Sequence, residues 1–319
     1  MSNSRKRGTH SVRGAVLAIA MAAAAPAVAA DAETCKSIRL SDPGWTDITA
    51  TNGLASVLLE ALGYQAEVKT LAVPIGYQSM KNGEIDVFLG NWMPAQQAFV
   101  DDLNAAKAIE VINKNLEGAK FTLAVPTELA ENGVKDFADL EAHGDEFDHK
   151  IYGIEPGAPA NLNIQKMIDA GEFGLKDWKL VESGEQAMLS QVERATKDGK
   201  GVVFLAWAPH PMNERFHITY LSGGDAYFGP NYGGAKVYTL ARTGWSESCP
   251  NAANLFRQLR FEVSMENVLM GEILGGKDAR EAATTWLKAN PSALQTWLSG
   301  VTTFDGRPGL EAVKSALAL

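Results

Sequence analysis

Short apolar runs alternate with amphipathic segments along most of the chain. In 51–62, Leu54, Leu58 and Leu62 are spaced for one face of a helix, and Gly63 follows as a C-cap. Further helices are predicted over 77–82, from a capping box at 183–186 to about Lys197, and over 292–298. Strands are predicted over 36–40, 66–71, 85–89, 120–125, 150–154 and 202–206. This alternation predicts an α/β fold in which helices cover parallel strands.

The first thirty residues have the pattern of a secretory signal peptide. A basic head precedes the uncharged apolar stretch 15–25, and Ala27-Val28-Ala29 matches a small-residue cleavage site. The apolar stretch is shorter than the roughly 20 residues of a spanning helix, which leaves an uncleaved anchor as the weaker alternative. The sequence therefore predicts a signal peptide over 1–30, cleavage near Ala29 or Ala30, and a periplasmic protein.

Length and charge narrow the class of protein. The chain has 319 residues, 46% of them hydrophobic, and a formal net charge of -9. Such a composition is typical of a folded protein, and the length fits two lobes of about 100–200 residues. Because the chain is acidic, nucleic acids and anionic membrane surfaces are poor partners. No Pro-rich linker divides the chain, so two lobes would be joined by strands that cross and return.

The two cysteines, Cys35 and Cys249, lie far apart in the sequence. In an oxidising compartment they are expected to form one disulfide between the mature N-terminus and a late segment. Two buried free thiols are the alternative, and a metal site is disfavoured because no histidine pair lies nearby.

Three tryptophans come directly after predicted strands. They are Trp45, Trp92 and Trp207, each next to glycine or proline. Ligands of open α/β sheets bind beyond the carboxyl ends of the strands, so these rings are expected to converge on a binding crevice. Aromatic faces beside a carboxylate attract a bulky cation, and quaternary ammonium groups are the usual guests. A packing role for each ring alone is the alternative.

Four separated segments carry a family resemblance: 43–47 (PGWTD), 86–94 (DVFLGNWMP), 152–158 (YGIEPGA) and 204–211 (FLAWAPHP). With these motifs the mature chain resembles the periplasmic substrate-binding proteins of ABC-type choline/glycine betaine importers, most closely the choline-binding branch. The resemblance implies a type II-like, two-lobed α/β fold with two parallel or mixed sheets joined by crossing strands. The implied boundaries are 31–117 plus 213–319 for the first lobe and 118–212 for the second.

The same resemblance assigns residues to an aromatic box. Trp45, Trp92 and Trp207 would wall a trimethylammonium group, and Phe121 would be the fourth wall, where relatives have a tyrosine. A buried strand residue is the other interpretation of Phe121. Asn161 is implied as a ligand to the choline hydroxyl, with Asn163 as its neighbouring substitute. Asn161 is equally suited to be an N-cap.

Asp47 can be interpreted from charge. A carboxylate beside the box favours a net cation such as choline and repels the carboxylate of glycine betaine. The strand-end motifs contain no lysine or arginine that would hold a ligand carboxylate. An N-cap role at the following helix is the alternative, and both roles are compatible.

Enzyme classes lack their signatures in this chain. The sequence contains no Gly-x-Ser-x-Gly, no P-loop and no His-Glu-x-x-His, so no catalytic residue, metal or cofactor is predicted. The expected partners are choline, with acetylcholine and more weakly bound betaine, and an inner-membrane ABC permease, with the protein acting as a monomer. The alternatives are a receptor that prefers betaine or another quaternary ammonium zwitterion, a sensor module, and an enzyme acting on such a cation.

Overall fold

Nine strands form the framework of the protein. The computed structural model describes Met1 and residues 31–319, so the predicted signal peptide and its cleavage site lie outside the described residues. The strands are β1 (Ser37–Asp42), β2 (Gln65–Thr70), β3 (Val87–Met93), β4 (Ile109–Pro126), β5 (Lys150–Tyr152), β6 (Lys179–Val181), β7 (Val203–Ala208), β8 (Ile218–Tyr220) and β9 (Gly234–Arg242).

Fifteen α-helices connect and cover these strands in residues 31–319. They are α1 (Thr46–Ala61), α2 (Val73–Lys81), α3 (Gln97–Ala105), α4 (Thr127–Glu131), α5 (Pro159–Ala170), α6 (Glu185–Lys197), α7 (Met212–Arg215), α8 (Asp225–Phe228), α9 (Pro230–Gly233), α10 (Trp245–Ser248), α11 (Pro250–Gln258), α12 (Val263–Leu274), α13 (Ala279–Ala289), α14 (Ser292–Trp297) and α15 (Gly309–Leu317). Short 3₁₀ helices occupy Glu33–Cys35, Phe137–Asp139, Glu141–Phe147 and Glu172–Asp177.

The sheet consists of two parallel groups that meet at antiparallel strands. Its order is β2-β1-β3-β9-β4-β7-β5-β6, with β8 paired to β4. Pairing is parallel among β2, β1 and β3 and again among β6, β5 and β7, as the strand–helix alternation predicts. The predicted α/β class is confirmed, and the two groups are joined edge to edge in one sheet.

Strand β4 passes from one group to the other. Its first two thirds pair with β9, and 120–124 pair with β7. The sequence pattern predicted only 120–125 as a strand, because buried asparagines interrupt the apolar run. Asn113 donates to the carbonyls of Phe256 and Leu259, and Asn115 donates to the carbonyl of Leu89. These bonds give partners to amide N–H groups that would otherwise be costly to bury.

Helix α1 lies at the centre of the first group and packs against β2, α12, α13 and α15. It begins at Thr46, five residues before the predicted helix, because the residues of its first two turns are buried as well. None of the helices in residues 31–319 has both the length and the apolarity to cross a bilayer.

The start of the described chain is fastened to α11. Cys35 and Cys249 form the expected disulfide. Close by, the Asp31 carboxylate accepts the backbone N–H groups of Asn251 and Ala252 and the hydroxyl of Tyr64. A carboxylate at the N-terminus of a helix satisfies free N–H groups and opposes the helix dipole.

Replacing both cysteines with serine should lower the free energy of unfolding by about 3–5 kcal/mol, because the bond closes a loop across 214 residues of sequence. Denaturant unfolding of the variant and of the oxidised wild-type protein measures this difference. Neither cysteine lines the cavity described below, so ligand affinity should stay the same. Equal unfolding midpoints would show that the bond contributes little to stability.

Candidate functional site

A cavity opens where the carboxyl ends of β3 and β7 face the start of α1. About 430 Å³ of space there is not filled by protein atoms, part of it open to solvent. Its lining residues are Trp45, Asp47, Trp92, Ala95, Gln96, Phe121, Ile154, Pro159, Ala160, Leu205 and Trp207. Five of the six residues predicted to contact a ligand thus line one cavity, and all of these five are at least nine-tenths buried.

The three tryptophans reach the cavity from three elements. Trp45 directly precedes α1, whereas Trp92 and Trp207 are the penultimate residues of β3 and β7. Trp92 and Trp207 therefore lie inside the ends of their strands, whereas the sequence placed them just beyond. The convergence of the rings follows from the parallel topology, which gathers strand ends at one edge of each group.

Phe121 lies within β4 and still lines the cavity. It pairs with Trp207 across the antiparallel ladder, so the two side chains lie on the same face of the sheet. Its ring meets Trp92 edge to face at a centroid distance of 6.3 Å and Phe228 at 5.6 Å. Gly233, in a left-handed conformation (φ 68°), passes so close to the Phe121 carbonyl that any Cβ there would overlap it.

Asp47 is the charged residue of the cavity wall. One carboxylate oxygen, Oδ2, accepts the indole N–H of Trp92 at 3.1 Å, whereas Oδ1 is buried and has no hydrogen-bond partner among the described residues. Burial, reinforced by the nearby Glu185 carboxylate, raises the pKa of Asp47 to about 8. Trp45 occupies the N-cap position of α1 and Asp47 lies in its first turn, so the N-cap interpretation of Asp47 is wrong.

Two further carboxylates belong to this region without appearing in the sequence-based site. The indole N–H of Trp45 donates to both oxygens of Glu155, at 2.9 and 3.0 Å, and burial raises the pKa of Glu155 to about 7. Glu266 of α12 is fully buried, and its burial and the charge of Asp47 hold its pKa well above the ordinary value. The residues that line the cavity include no lysine or arginine. The electrostatics of this site favour a cation.

Glu185 has a different role from the one its sequence context suggests. The pattern at 183–186 predicted a capping box, but α6 begins at Glu185 with Gly184 as an N-cap that makes no side-chain bond. The carboxylate of Glu185 instead reaches Thr46, the first residue of α1, and His210. The capping box predicted here would have used Ser183 and Gln186 and gave Glu185 no role, since a bond to a residue 139 positions away depends on tertiary packing.

Asn161 is buried beside the cavity and does not line it. Its Oδ1 accepts the N–H of Ile154, and its Nδ2 donates to the carbonyls of Ile154 and Glu155 and to Glu182 Oε1, all at 3.0 Å. Ala158 holds the N-cap position of α5, so the N-cap interpretation is wrong. Asn163 donates to the carbonyl of Tyr227. Ligand contact by either asparagine stays a prediction.

Replacing Asn161 with alanine should lower the free energy of unfolding by about 1–3 kcal/mol, because the buried N–H of Ile154 loses its acceptor. Denaturant unfolding of the ligand-free variant checks this value, with the half-buried Asn163→Ala as the matched control. An Asn161→Ala protein of unchanged stability would contradict a structural role for this amide.

The arrangement provides recognition chemistry, with aromatic faces on several sides and a carboxylate on one. Among residues 31–319, no cluster of three or more His, Cys, Asp or Glu side chains has the geometry to hold a metal ion. Glu155, Glu185 and Glu266 were missed by sequence reasoning. Of the three, only Glu155 has a sequence feature that indicates a position at the site, because it follows a predicted strand as the tryptophans do.

Comparisons with known proteins agree with this geometry. A family model described as the substrate binding domain of an ABC-type glycine betaine transport system matches residues 36–289. Two solved structures of an ABC-transporter choline binding protein, in complex with choline and in an unliganded semi-closed conformation, share 54% and 55% identity with the chain. Their TM-scores are 0.88 and 0.83, and each comparison covers 90% of this chain and 100% of the other.

A further relative has a lower sequence identity to this chain. The glycine betaine/carnitine transport binding protein of Listeria monocytogenes is 31% identical over 187 residues, which are 58% of this chain and 60% of that protein. These similarities confirm the family and the two-lobed fold predicted from the four sequence segments. The chain belongs to the family of substrate-binding domains of ABC-type glycine betaine transport systems.

Proposed function

We propose that this protein is the choline receptor of an ABC importer and that it delivers choline to an inner-membrane permease. The observation that carries the proposal is the cavity itself, where three tryptophans and one phenylalanine surround a space that also exposes Asp47. A choline-bound protein at 54% identity and the match to a transport family support it. Proteins of this family are receptors outside the cytoplasm, and we place this one in the periplasm as a cleaved monomer.

Choline suits the cavity because its trimethylammonium group cannot donate N–H hydrogen bonds. Each aromatic face stabilises such a cation by roughly 0.5–2 kcal/mol, with the larger values at desolvated sites. Trp45, Trp92, Phe121 and Trp207 are each at least 92% buried, which places them at the desolvated end of that range. Phe121 supplies a face without a phenol group, so we assign it no hydrogen bond to the ligand.

Asp47 is proposed to hold the positive charge and the hydroxyl of choline. Its Oδ1 has no partner in the described part of the chain and is therefore available as an acceptor. Glycine betaine carries its own carboxylate, which would meet Asp47 in a cavity without basic lining residues. We therefore expect choline to bind more tightly than betaine, and acetylcholine, which lacks the hydroxyl, to lose that hydrogen bond.

We further propose that the described structure is the closed form. Trp45 and Glu155 come from different lobes under the expected boundaries and are hydrogen bonded to each other. The TM-score is also higher with the choline-bound neighbour than with the semi-closed one.

The strand pairing favours a later end for the second lobe than residue 212. Strand β8 pairs with the end of β4, and β9 is the strand that returns to the first lobe, so we place the end of the second lobe at about residue 233.

Titration calorimetry of ligand-free mature protein against choline and glycine betaine tests the function. We expect choline to bind and betaine to bind more weakly or not at all. Trp92→Ala should weaken choline binding by about tenfold or more, because it removes one ring face and the donor to Asp47. Tighter binding of betaine would overturn the choice of ligand, and no binding of either compound would overturn the receptor proposal.

The partly buried Trp286 provides a matched control for that substitution. It stacks on Trp297 away from the cavity. Trp286→Ala should leave choline affinity unchanged even if it lowers the unfolding temperature. Equal losses of affinity in the two variants would mean that Trp92 acts through stability and not as a wall of the box.

Choline affinity should fall as the pH is lowered through about 8. The pKa of Asp47 is raised to about 8 in the ligand-free cavity, and a bound cation favours the carboxylate, so binding lowers this pKa and releases a proton. Binding is strongest above that pH and weakens by at most about tenfold per pH unit below it for one proton. Calorimetry in buffers with different ionisation heats measures both the choline affinity and the number of protons released on binding.

Asp47→Asn is the control for the pH dependence. Between about pH 7 and about pH 8 its choline affinity should change less, and fewer protons should be released, than in wild type, because the remaining change comes from Glu155, whose pKa is about 7. The same variant should narrow the preference for choline over betaine. A wild-type affinity that does not change over this pH window would contradict an ionising Asp47 at the ligand.

A further inference from the structure

Behind the aromatic wall, a second carboxylate besides Glu155 connects the two proposed lobes. Glu185 Oε2 accepts the backbone N–H of Thr46 at 2.9 Å, and Oε1 accepts the Thr46 hydroxyl. Both residues are at least 95% buried. Under the expected boundaries Glu185 belongs to the second lobe and Thr46 to the first, so these bonds would exist only when the lobes are together.

His210 completes the environment of this carboxylate. Its Nδ1 accepts the N–H of Met212 at 2.9 Å, which leaves the ring proton on Nε2, 3.2 Å from Glu185 Oε1. The carboxylate also lies at the N-termini of two helices, α6 and α1, where partial positive charge accumulates. Both carboxylate oxygens of Glu185 therefore have hydrogen-bond donors in the closed form.

The partner of Glu185 is placed between two residues of the cavity. Thr46 stands between Trp45 and Asp47, whereas Glu185 itself does not line the cavity. Anchoring Thr46 fixes the first turn of α1, and with it the backbone of one wall tryptophan and of the carboxylate. An interaction that forms only on closure prolongs ligand residence without touching the ligand.

We propose that Glu185 is a positioning residue that latches the closed form by binding Thr46, and so sets the rate at which the ligand leaves. The proposal rests on the proposed function, since choline is the probe used to observe closure. Glu185 and Thr46 form the latch, and His210 supports it by orienting the carboxylate.

Stopped-flow tryptophan fluorescence with choline tests the latch in wild type, Glu185→Gln and Thr46→Val. Glu185→Gln should raise the dissociation rate about tenfold and change the association rate by less than about threefold, because one of the two oxygens that accept the donors of Thr46 becomes an NH₂ group. Thr46→Val should have a smaller effect because it keeps the backbone N–H. In the double variant the two effects should be less than multiplicative, since they remove the same interaction.

Two conservative variants separate the latch from general damage. Thr46→Ser keeps both donors and should restore wild-type rates. Glu193→Gln, on the outer part of α6 where Glu193 pairs with Lys197 and Arg215, should leave them unchanged. If Glu185→Gln fails to fold, Thr46→Val with its Thr46→Ser rescue gives the result alone.

The direction of the change in dissociation rate distinguishes the latch from an electrostatic effect of Glu185 on Asp47. The charge of Glu185 raises the pKa of Asp47, so removing it would by itself favour a carboxylate at Asp47 and tighten choline binding. A faster dissociation therefore supports the latch. Unchanged or slower dissociation in Glu185→Gln and Thr46→Val, with wild type binding choline, would overturn the latch alone. Absence of choline binding in wild type would overturn the proposed function.

Discussion

The site depends on the cost of keeping carboxylates out of water. Asp47, Glu185 and Glu266 are each at least 97% buried, and the cavity that Asp47 lines has no basic residue in its wall. Desolvation of an anion is expensive unless donors or a counter-charge replace the lost water. Glu185 obtains its donors from the protein, whereas Asp47 keeps one oxygen free. A cation in the cavity would supply the counter-charge that Asp47 lacks, so the proposed closure and cation binding would favour each other.

Backbone architecture brings these groups together. Each parallel group of strands delivers one tryptophan at a strand end, and β4 carries Phe121 across the junction between the groups. The pairing of β4 with β9 is interrupted by register shifts between Val111 and Ala119. Bulges of this kind weaken a ladder locally and let strands bend. Strand pairing is thus regular within each parallel group, whereas the connection between the groups is more easily bent.

Sequence patterns predicted the α/β class, the parallel groups and the convergence of the tryptophans, because strand ends and periodicity are local features. The disulfide was predicted because the chain has two cysteines and is expected in an oxidising compartment. The patterns did not predict the full length of β4, whose buried Asn113 and Asn115 look like surface residues. The role of Glu185 was also missed, since its partner Thr46 lies 139 residues away and is reached only through folding. Asn161 shows a different limit of sequence patterns. Its amide is suited to contact a ligand, but in the structure it forms hydrogen bonds with the backbone of the preceding loop.

The bond between Cys35 and Cys249 has a consequence for the order of folding during secretion. A chain that crosses a membrane from its N-terminus presents Cys35 early and Cys249 only after 214 further residues. The native pair therefore cannot form until most of the polypeptide has emerged. Because the described chain contains no other cysteine, the waiting thiol has no wrong intramolecular partner. Formation of the disulfide thus requires translocation at least through Cys249, and a product truncated before Cys249 would carry an unpaired Cys35.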